Sequence, residues 1–443
     1  MARIAVFGTG YLGATHAAGM AELGHEVIGV DVDAAKVETL SRGEVPFFEP
    51  GLPELLRAHV ESGRLRFTTN ASEAADFADV HFIGVGTPQR KGEYAADLTF
   101  VEAVIDTLAP LLTRPAVIFG KSTVPVGTAA RLAARVRELA PVGDAAELAW
   151  NPEFLREGFA VEDTLRPDRL VLGVETGREG RAEVVAREVY ASILERGTPF
   201  LVTDLATAEL VKVSANAFLA TKISFINAIA EVCDATGADV VQLADAIGYD
   251  ERIGRKFLGA GLGFGGGCLP KDIRAFMARA GELGVDQALT FLREVDAVNL
   301  RRREHVVQLA ADVVGGSLNG ARVAVLGAAF KPNSDDVRDS PALDVAGKCH
   351  LAGADVRVYD PKAAANAQRL WPTLTYADSA LDACRDADVV IVATEWAEFR
   401  EADPAALGEV VAHRRVIDGR NCLPAERWID AGWTYRGMGR YAQ

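Results

Sequence analysis

The stretch Gly263-Phe-Gly-Gly-Gly-Cys268-Leu-Pro-Lys-Asp272 sets one cysteine on a run of glycines, two residues before a proline. Glycines free the backbone and let a ligand approach closely. Pro270 suits the first turn of a helix, which places Cys268 at a helix start. The positive end of that helix, with Lys271 beside it, favours the nucleophilic thiolate. Asp272, four residues on, can hold a water or take a proton. A free thiol is more often a packing group, and Cys233, Cys349, Cys384 and Cys422 are read that way. The five cysteines form no CxxC pair and no zinc-ligand spacing, so reduced thiols in a cytoplasm and no metal site are expected.

Lys212 and Asn216 stand four residues apart in an apolar helical stretch, so they share a helix face. Both are donors and together can stabilise an oxyanion; a lysine snorkelling at a helix edge is the alternative. Near the N-terminus, Gly8-Thr-Gly10-Tyr11-Leu12-Gly13 follows a strand and opens a helix. That context permits a tight turn, close approach to a pyrophosphate and N–H donors from the helix start. Asp31 ends the second strand, where a carboxylate accepts ribose hydroxyls and repels a 2′-phosphate, so NAD is expected over NADP. Lys36 either assists at the ribose or is a solvated helix lysine.

Three further segments end strands, where open α/β sheets bind ligands. They are Gly84-Val-Gly86-Thr87-Pro88, Ser122-Thr123-Val-Pro-Val-Gly127 and Asn151-Pro-Glu153-Phe154-Leu155-Arg156-Glu157-Gly158. Thr123 can offer a hydroxyl to a nicotinamide or a water. Glu153 and Glu157 would share a face if the segment were helical. Phe330-Lys331-Pro-Asn-Ser-Asp-Asp-Val-Arg338, with Arg252, Lys256 and Arg420, supplies cations for a phosphate-binding pocket; helix capping and surface ion pairs are the plain alternative.

The elements that position these residues alternate. Strand patterns at Arg3–Gly8, Val27–Asp31, Val80–Val85, Ala116–Gly120 and Leu148–Trp150, with helical segments between, predict a parallel sheet covered by helices. Leu170–Gly173 and Phe200–Thr203 extend it. Ala206–Ala235 has helical spacing and no internal glycine or proline, a spine longer than an ordinary helix. A helical region follows over Asp286–Val314. The alternation then restarts at Arg322–Leu326, Val356–Tyr359, Val389–Ala393 and Arg415–Asp418, without the glycine fingerprint. The expected class is α/β: two Rossmann-like, doubly wound domains joined by a long central helix and a helical middle domain. The division is 1–203 for the NAD-binding domain, 204–314 for the spine and cysteine loop, and 315–443 for the second, shorter α/β domain.

The 443 residues are 49% hydrophobic and 25% charged, which fits an ordered globular chain. A net charge of -15 argues against nucleic-acid or membrane-surface binding but not against a local basic pocket. No signal peptide and no bilayer-spanning run are read from the sequence.

With these residues in view, the chain resembles the UDP-glucose 6-dehydrogenase family, within the nucleotide-sugar dehydrogenases. The resemblance runs through GTGYLG, GTP at 86–88, STVPVG, NPEFLREG, Lys212 with Asn216, GFGGGCLPKD and FKPNSDDVR. It implies a four-electron oxidation with two NAD, through a thiohemiacetal and a thioester on Cys268. It implies oxyanion donors in Lys212 and Asn216, activation of water or Cys268 by Asp272, and help to the water from Thr123 and Glu153. Gly8, Gly10, Tyr11, Leu12, Gly13, Asp31, Lys36, Gly86, Thr87, Pro88, Ser122, Thr123, Glu157, Lys271 and Arg338 fall on the NAD side. Glu153, Phe154, Leu155, Arg156, Glu157, Lys212, Asn216, Phe257, Leu258, Gly259, Ala260, Gly261, Gly265, Lys331 and Arg420 fall on the nucleotide-sugar side, with Arg252 offered across a homodimer built on the long helix. UDP-glucose is the expected substrate, ahead of GDP-mannose and UDP-N-acetylmannosamine. The chain departs from the family pattern in Gly267, where many members carry serine, in Asn299-Leu-Arg-Arg302, where Asn-x-x-Gln is frequent, and in Ser334 for threonine.

Overall fold

The structure, a computed structural model, describes residues 1–177 and 180–440. Eight strands form the first sheet: β1 (Arg3–Phe7), β2 (Glu26–Val30), β3 (Leu65–Thr68), β4 (Val80–Ile83), β5 (Ala116–Gly120), β6 (Ala146–Trp150), β7 (Leu170–Val174) and β8 (Phe200–Asp204). Their order is β3-β2-β1-β4-β5-β6-β7-β8, so the winding reverses between β1 and β4. A ligand crevice opens at such a switch point. The central strands are apolar on both faces because helices cover both. Ala5 and Phe7 of β1 belong to one core cluster, and Ile4 and Val6 to the other.

The expected parallel sheet holds from β3 to β6. There β7 turns antiparallel to β6, through Trp150 opposite Gly173, and β8 runs parallel to β7. The connection between β6 and β7 contains the short helix Ala160–Leu165.

Six strands form the second sheet: β9 (Arg322–Leu326), β10 (Asp355–Tyr359), β11 (Thr375–Tyr376), β12 (Val389–Val392), β13 (Arg415–Asp418) and β14 (Thr434–Gly437). All pair in parallel, in the order β11-β10-β9-β12-β13-β14. This repeats the winding of the first six strands, so both sheets are Rossmann-like.

The chain divides into two compact units. One holds Met1–Ala215 and Arg274–Leu283; the other holds Asn216–Ile273 and the chain from Gly284 onward. The boundary at Ala215 falls inside the spine helix, Leu205–Thr236, 32 residues long. Gly237, at φ +76°, follows its last turn in a conformation that favours glycine. By length and composition alone this helix could cross a membrane, contrary to the expectation of no bilayer-spanning run; 44% of its most apolar stretch is buried inside the protein. It also carries Glu209, Lys212, Lys222 and Glu231.

Candidate active site

In the first unit the fingerprint loop leaves β1 and enters the helix Tyr11–Glu22 at Gly10. Gly8 adopts φ +86°, and a Cβ on it would strike Val85. A Cβ on Gly13 would strike the Gly8 carbonyl, so helix and turn pack backbone to backbone. At Gly10 and Gly86 the same addition meets nothing within 4 Å, which leaves these backbones open to a ligand. Asp31 is 9% exposed and accepts from Thr9 N (2.8 Å), Thr9 Oγ1 (3.0 Å) and Lys36 Nζ (2.9 Å). Burial raises its pKa, but the bonds from Lys36, Thr9 and Asp33 outweigh that and hold it below the ordinary carboxylate range. A fixed, ionised carboxylate behind an open glycine turn fits the adenosine ribose and pyrophosphate of NAD. Lys36 is Asp31's ion-pair partner rather than a freely solvated lysine.

Tyr11 has its hydroxyl partners outside this loop. It contacts Glu49, which is 1% exposed, and accepts from Gly158 N at 2.9 Å. Glu49 also accepts from Gly158 N (2.7 Å) and Ala160 N (2.7 Å), so it pins the end of the 151–158 segment. That segment is not helical, and the shared-face reading of Glu153 and Glu157 is corrected: Pro152 and the turn at Gly158 (φ +81°) break the helix, and Glu157 lies in that turn. Glu153 Oε1 accepts from its own Phe154 N (2.7 Å) and Leu155 N (3.1 Å), and Oε2 pairs with Lys121 Nζ at 3.0 Å. Arg156 directs Nε and Nη2 to Asp163, at 2.9 and 2.6 Å.

Lys121 is 4% exposed and also donates to Asn151 Oδ1 (3.1 Å), which Tyr190 reaches at 2.8 Å. Burial lowers its pKa, yet Glu153 and Tyr190 raise it further, so the ammonium stays charged. The neighbouring loops are tied together: Thr87 Oγ1 donates to Thr123 O (2.7 Å) and Ser122 Oγ to Val85 O (2.7 Å). Pro88 O accepts from Asp97 N at 2.8 Å. Lys212 Nζ lies 5.6 Å from the centre of the Phe154 ring.

In the second unit Cys268 is exposed and immediately precedes the helix Leu269–Glu282; its carbonyl accepts from Asp272 N at 3.0 Å. Asp272 is 2% exposed, takes Asn216 Nδ2 at 2.6 Å and contacts the Lys271 ammonium. Asn216 keeps a second Nδ2–H for another acceptor. Lys212 is one turn earlier on the same helix. By contrast, burial pushes the Cys349 and Cys384 thiols up to about 12 and raises Cys233 and Cys422 as well.

The glycines before Cys268 admit their neighbours. Added Cβ atoms would strike Asn299 at Gly263, Asp339 and Pro341 at Gly265, the Phe330 ring at Gly266 and the Arg338 guanidinium at Gly267. The missing serine at 267 therefore makes room for Arg338, which grips Asp336 (Nη2–Oδ2 2.7 Å). Arg420 directs Nε, Nη1 and Nη2 to the carbonyls of Ala393, Gly263 and Phe330, at 2.8, 2.8 and 3.0 Å. It ties the cysteine loop to the second sheet. Asn299 clamps Phe264 through both amide atoms, and Arg302 is fully buried with Nε toward Gly261 O at 3.4 Å.

In the loop before, Leu258 and Ala260 are buried and Gly261 N donates to Asn227 at 2.8 Å. Phe257 is 40% exposed at φ +66°. Asn333, Asp339 and Asn421 also have positive φ, so strained residues gather around these loops. Lys331 Nζ lies 5.2 Å from the Phe330 ring centre, and Arg252 pairs with Asp250 at 2.6 Å on the surface. Lys121, Glu49 and Glu209 were missed by sequence reasoning; the one local signal was a lysine at the end of a buried strand in Gly120-Lys-Ser-Thr.

Three family models match in succession: the UDP-glucose/GDP-mannose dehydrogenase family NAD binding domain over residues 2–194, its central domain over 206–301 and its UDP binding domain over 324–425. A UDP-glucose 6-dehydrogenase of Rhizobium meliloti is 42% identical, covering 99% of each chain. A solved UDP-glucose dehydrogenase from Pyrobaculum islandicum is 39% identical with a TM-score of 0.90, covering 100% of this chain and 98% of that one. A UDP-D-ManNAc dehydrogenase from Pyrococcus horikoshii is 27% identical with a TM-score of 0.86, covering 99% of each. With three matched domains in order and an open fingerprint loop backed by an ionised Asp31, the chain belongs to the UDP-glucose/GDP-mannose dehydrogenase family, an NAD-dependent oxidoreductase family.

Proposed function

We propose that the protein is a UDP-glucose 6-dehydrogenase that oxidises the sugar C6 alcohol by four electrons to the uronate. The observation that carries this reading is Cys268. It is exposed, set on glycines at a helix start, and four residues from a buried Asp272 that holds Asn216. NAD, when bound, accepts one hydride in each of two oxidations. Its holders on this chain are the 8–13 loop, Asp31 and Lys36, the 86–88 and 122–123 loops, Glu157, Lys271 and Arg338.

Loss of a C6 hydrogen as hydride, and of the hydroxyl proton to a water held at Asp272, gives the aldehyde; the Cys268 Sγ thiolate then bonds to its carbon, and the carbonyl oxygen becomes the oxyanion of a thiohemiacetal. Lys212 and Asn216 donate to that oxygen. Loss of the C6 hydrogen as hydride converts the thiohemiacetal into a thioester. Water oriented by Glu153 and Thr123 then adds to the thioester carbon. Asp272 takes its proton, the C–S bond breaks and the thiolate returns. Phe154, Leu155, Arg156, the 257–261 loop, Gly265, Lys331 and Arg420 frame the nucleotide sugar. Identity near 40% to proteins named for UDP-glucose, against 27% to one named for UDP-D-ManNAc, supports the substrate.

The assembly is a homodimer on the spine helix. Phe218, Phe225 and Val232 recur every seventh residue and are 66, 51 and 56% exposed, a stripe that a second copy would cover. Arg252, exposed on the surface, is offered to the partner's site. Light scattering that shows a monomer at micromolar concentration overturns this. Five scattered cysteines with no CxxC pair accord with a cytoplasmic protein. The central test is NADH yield across UDP-glucose, UDP-galactose, GDP-mannose and UDP-N-acetylmannosamine. Two NADH per UDP-glucose are expected, lost in Cys268→Ala. One NADH per sugar, unchanged in that variant, refutes the covalent route, and a clear preference for GDP-mannose refutes the substrate.

A further inference from the structure

Glu209 is a buried carboxylate that the reaction scheme leaves unused. It lies three residues before Lys212 on the spine helix, so the two side chains are neighbours on the helix surface. It is 2% exposed. Its Oε2 accepts from Gly127 N at 2.8 Å and its Oε1 from Ala129 N at 2.6 Å. These amides begin the helix Thr128–Leu139, whose N-cap residue is Gly127 at φ +94°, with no side chain to cap them. A serine or aspartate there would satisfy the first-turn amides locally. Here a carboxylate 82 residues away does so.

The clamped segment is the one that carries Thr123. Its front end is fixed by Thr87 Oγ1 on Thr123 O (2.7 Å), and Arg279 Nε donates to Val126 O (2.9 Å). Glu209 holds the back end. We infer that Glu209 is a positioning residue: its carboxylate locks the Thr123 loop to the helical turn that presents Lys212, and so keeps two groups of the reaction in register. This rests on the reading of Thr123 and Lys212 as catalytic.

The clamp requires the ionised form, because a protonated oxygen presents a donor to an N–H. Burial pushes Glu209 up to about 7, against the lowering effect of the Ala129 and Gly127 amides, Arg279 and the Thr128 amide. The charged groups set near it are Arg279 from the Leu269–Glu282 helix and Lys212 on its own helix; the loop presents backbone amides. Turnover therefore gains as pH rises through neutrality and the clamp closes.

The test is Glu209→Gln in the full chain, read by amide hydrogen exchange with and without NAD and by steady-state kinetics. Exchange over residues 122–133 should quicken by about tenfold, with the second sheet unchanged. The kcat per folded enzyme, with the folded fraction taken from active-site titration or circular dichroism, should fall roughly 10- to 100-fold with KM within about threefold; a fall accounted for by the lost folded fraction overturns the positioning role. The rise in kcat between about pH 6 and pH 8 should flatten. Wild-type exchange over 122–133 overturns the clamp, and faster exchange with unchanged kcat overturns its positioning role. If the variant does not fold, Glu209→Asp replaces it; the charge is kept but the reach is shortened, so wild-type exchange there is equally fatal. Thr123→Val with full kcat removes the catalytic reading of Thr123, while the exchange data still decide the clamp.

Discussion

Replacing Lys121 by methionine removes the only cation seen against Glu153 among the described residues and leaves that carboxylate facing a buried wall. At 3.0 Å the pair's attraction is about 5.5 kcal/mol with an effective dielectric near 20. Desolvation of a lysine that is 4% exposed offsets much of that gain. What the variant loses is therefore set by the orphaned partners. Breaking a buried pair costs about 3–5 kcal/mol. The Glu153 side chain is 19% exposed, so some water reaches it and the lower end, about 3 kcal/mol, applies. Asn151 Oδ1 keeps its bond from Tyr190 and adds little. Lys121→Met should lower the melting temperature by roughly 6–12 °C, at about 2–4 °C per kcal/mol for a unit of this size. Glu153→Gln alone orphans the more deeply buried member of the pair, so it should cost at least as much, although a neutral amide still accepts from the ammonium. In the double variant no buried charge is left, so its loss should fall short of the summed single losses by about 2 kcal/mol. Denaturant unfolding of the four proteins measures the coupling. Additivity within about 0.5 kcal/mol refutes the claim that Lys121 exists to hold Glu153.

Two adjacent glycines should respond differently. Gly266→Ala places a Cβ 2.7 Å from the Phe330 ring at φ +87°, and is expected to cost about 2 kcal/mol or more. Gly267→Ala sits at negative φ and meets the far end of the long Arg338 side chain rather than a ring, so a cost smaller than that of Gly266→Ala and a raised KM for NAD are expected; equal losses in unfolding experiments refute this contrast. Asp31→Ala should raise the NAD KM roughly 10- to 100-fold, from one lost charged hydrogen bond, and narrow the preference over NADP. An unchanged NAD/NADP ratio in kcat/KM contradicts the ribose assignment.

The parts legible in the sequence share a physical cause. Strands β1, β4, β5, β9 and β12 are apolar on both faces because helices cover both, and such runs announce themselves. Strands β3, β11 and β14, which were not read, all lie at sheet edges, where Arg66, Thr375 and Arg436 interrupt the pattern and two to four residues suffice. The reversal at β7 was hidden because alternation of elements carries no strand direction. Motif residues were legible because each motif loop is local in sequence. Their anchors were not, because the partner is 82 residues away for Glu209 and 111 for Glu49.

Those anchors follow from one constraint. A loop that must offer its backbone to a phosphate or an aldehyde has to leave its front open, so it is built from glycine and cannot cap itself. Its amides must then be satisfied from behind, by a group outside the loop. Asp31 holds Thr9 N behind the fingerprint turn, and Asp360 holds Ala328 N and Ala329 N behind the corresponding turn after β9, at 2.8 and 2.9 Å. Glu49 holds Gly158 and Ala160, and Glu209 holds Gly127 and Ala129. Each of the four is a carboxylate no more than 9% exposed. An amide or hydroxyl of similar size would cost less to bury, but it grips two N–H groups more weakly than a charge does. Burying these acids is thus the energetic consequence of keeping the loops open and rigid at once.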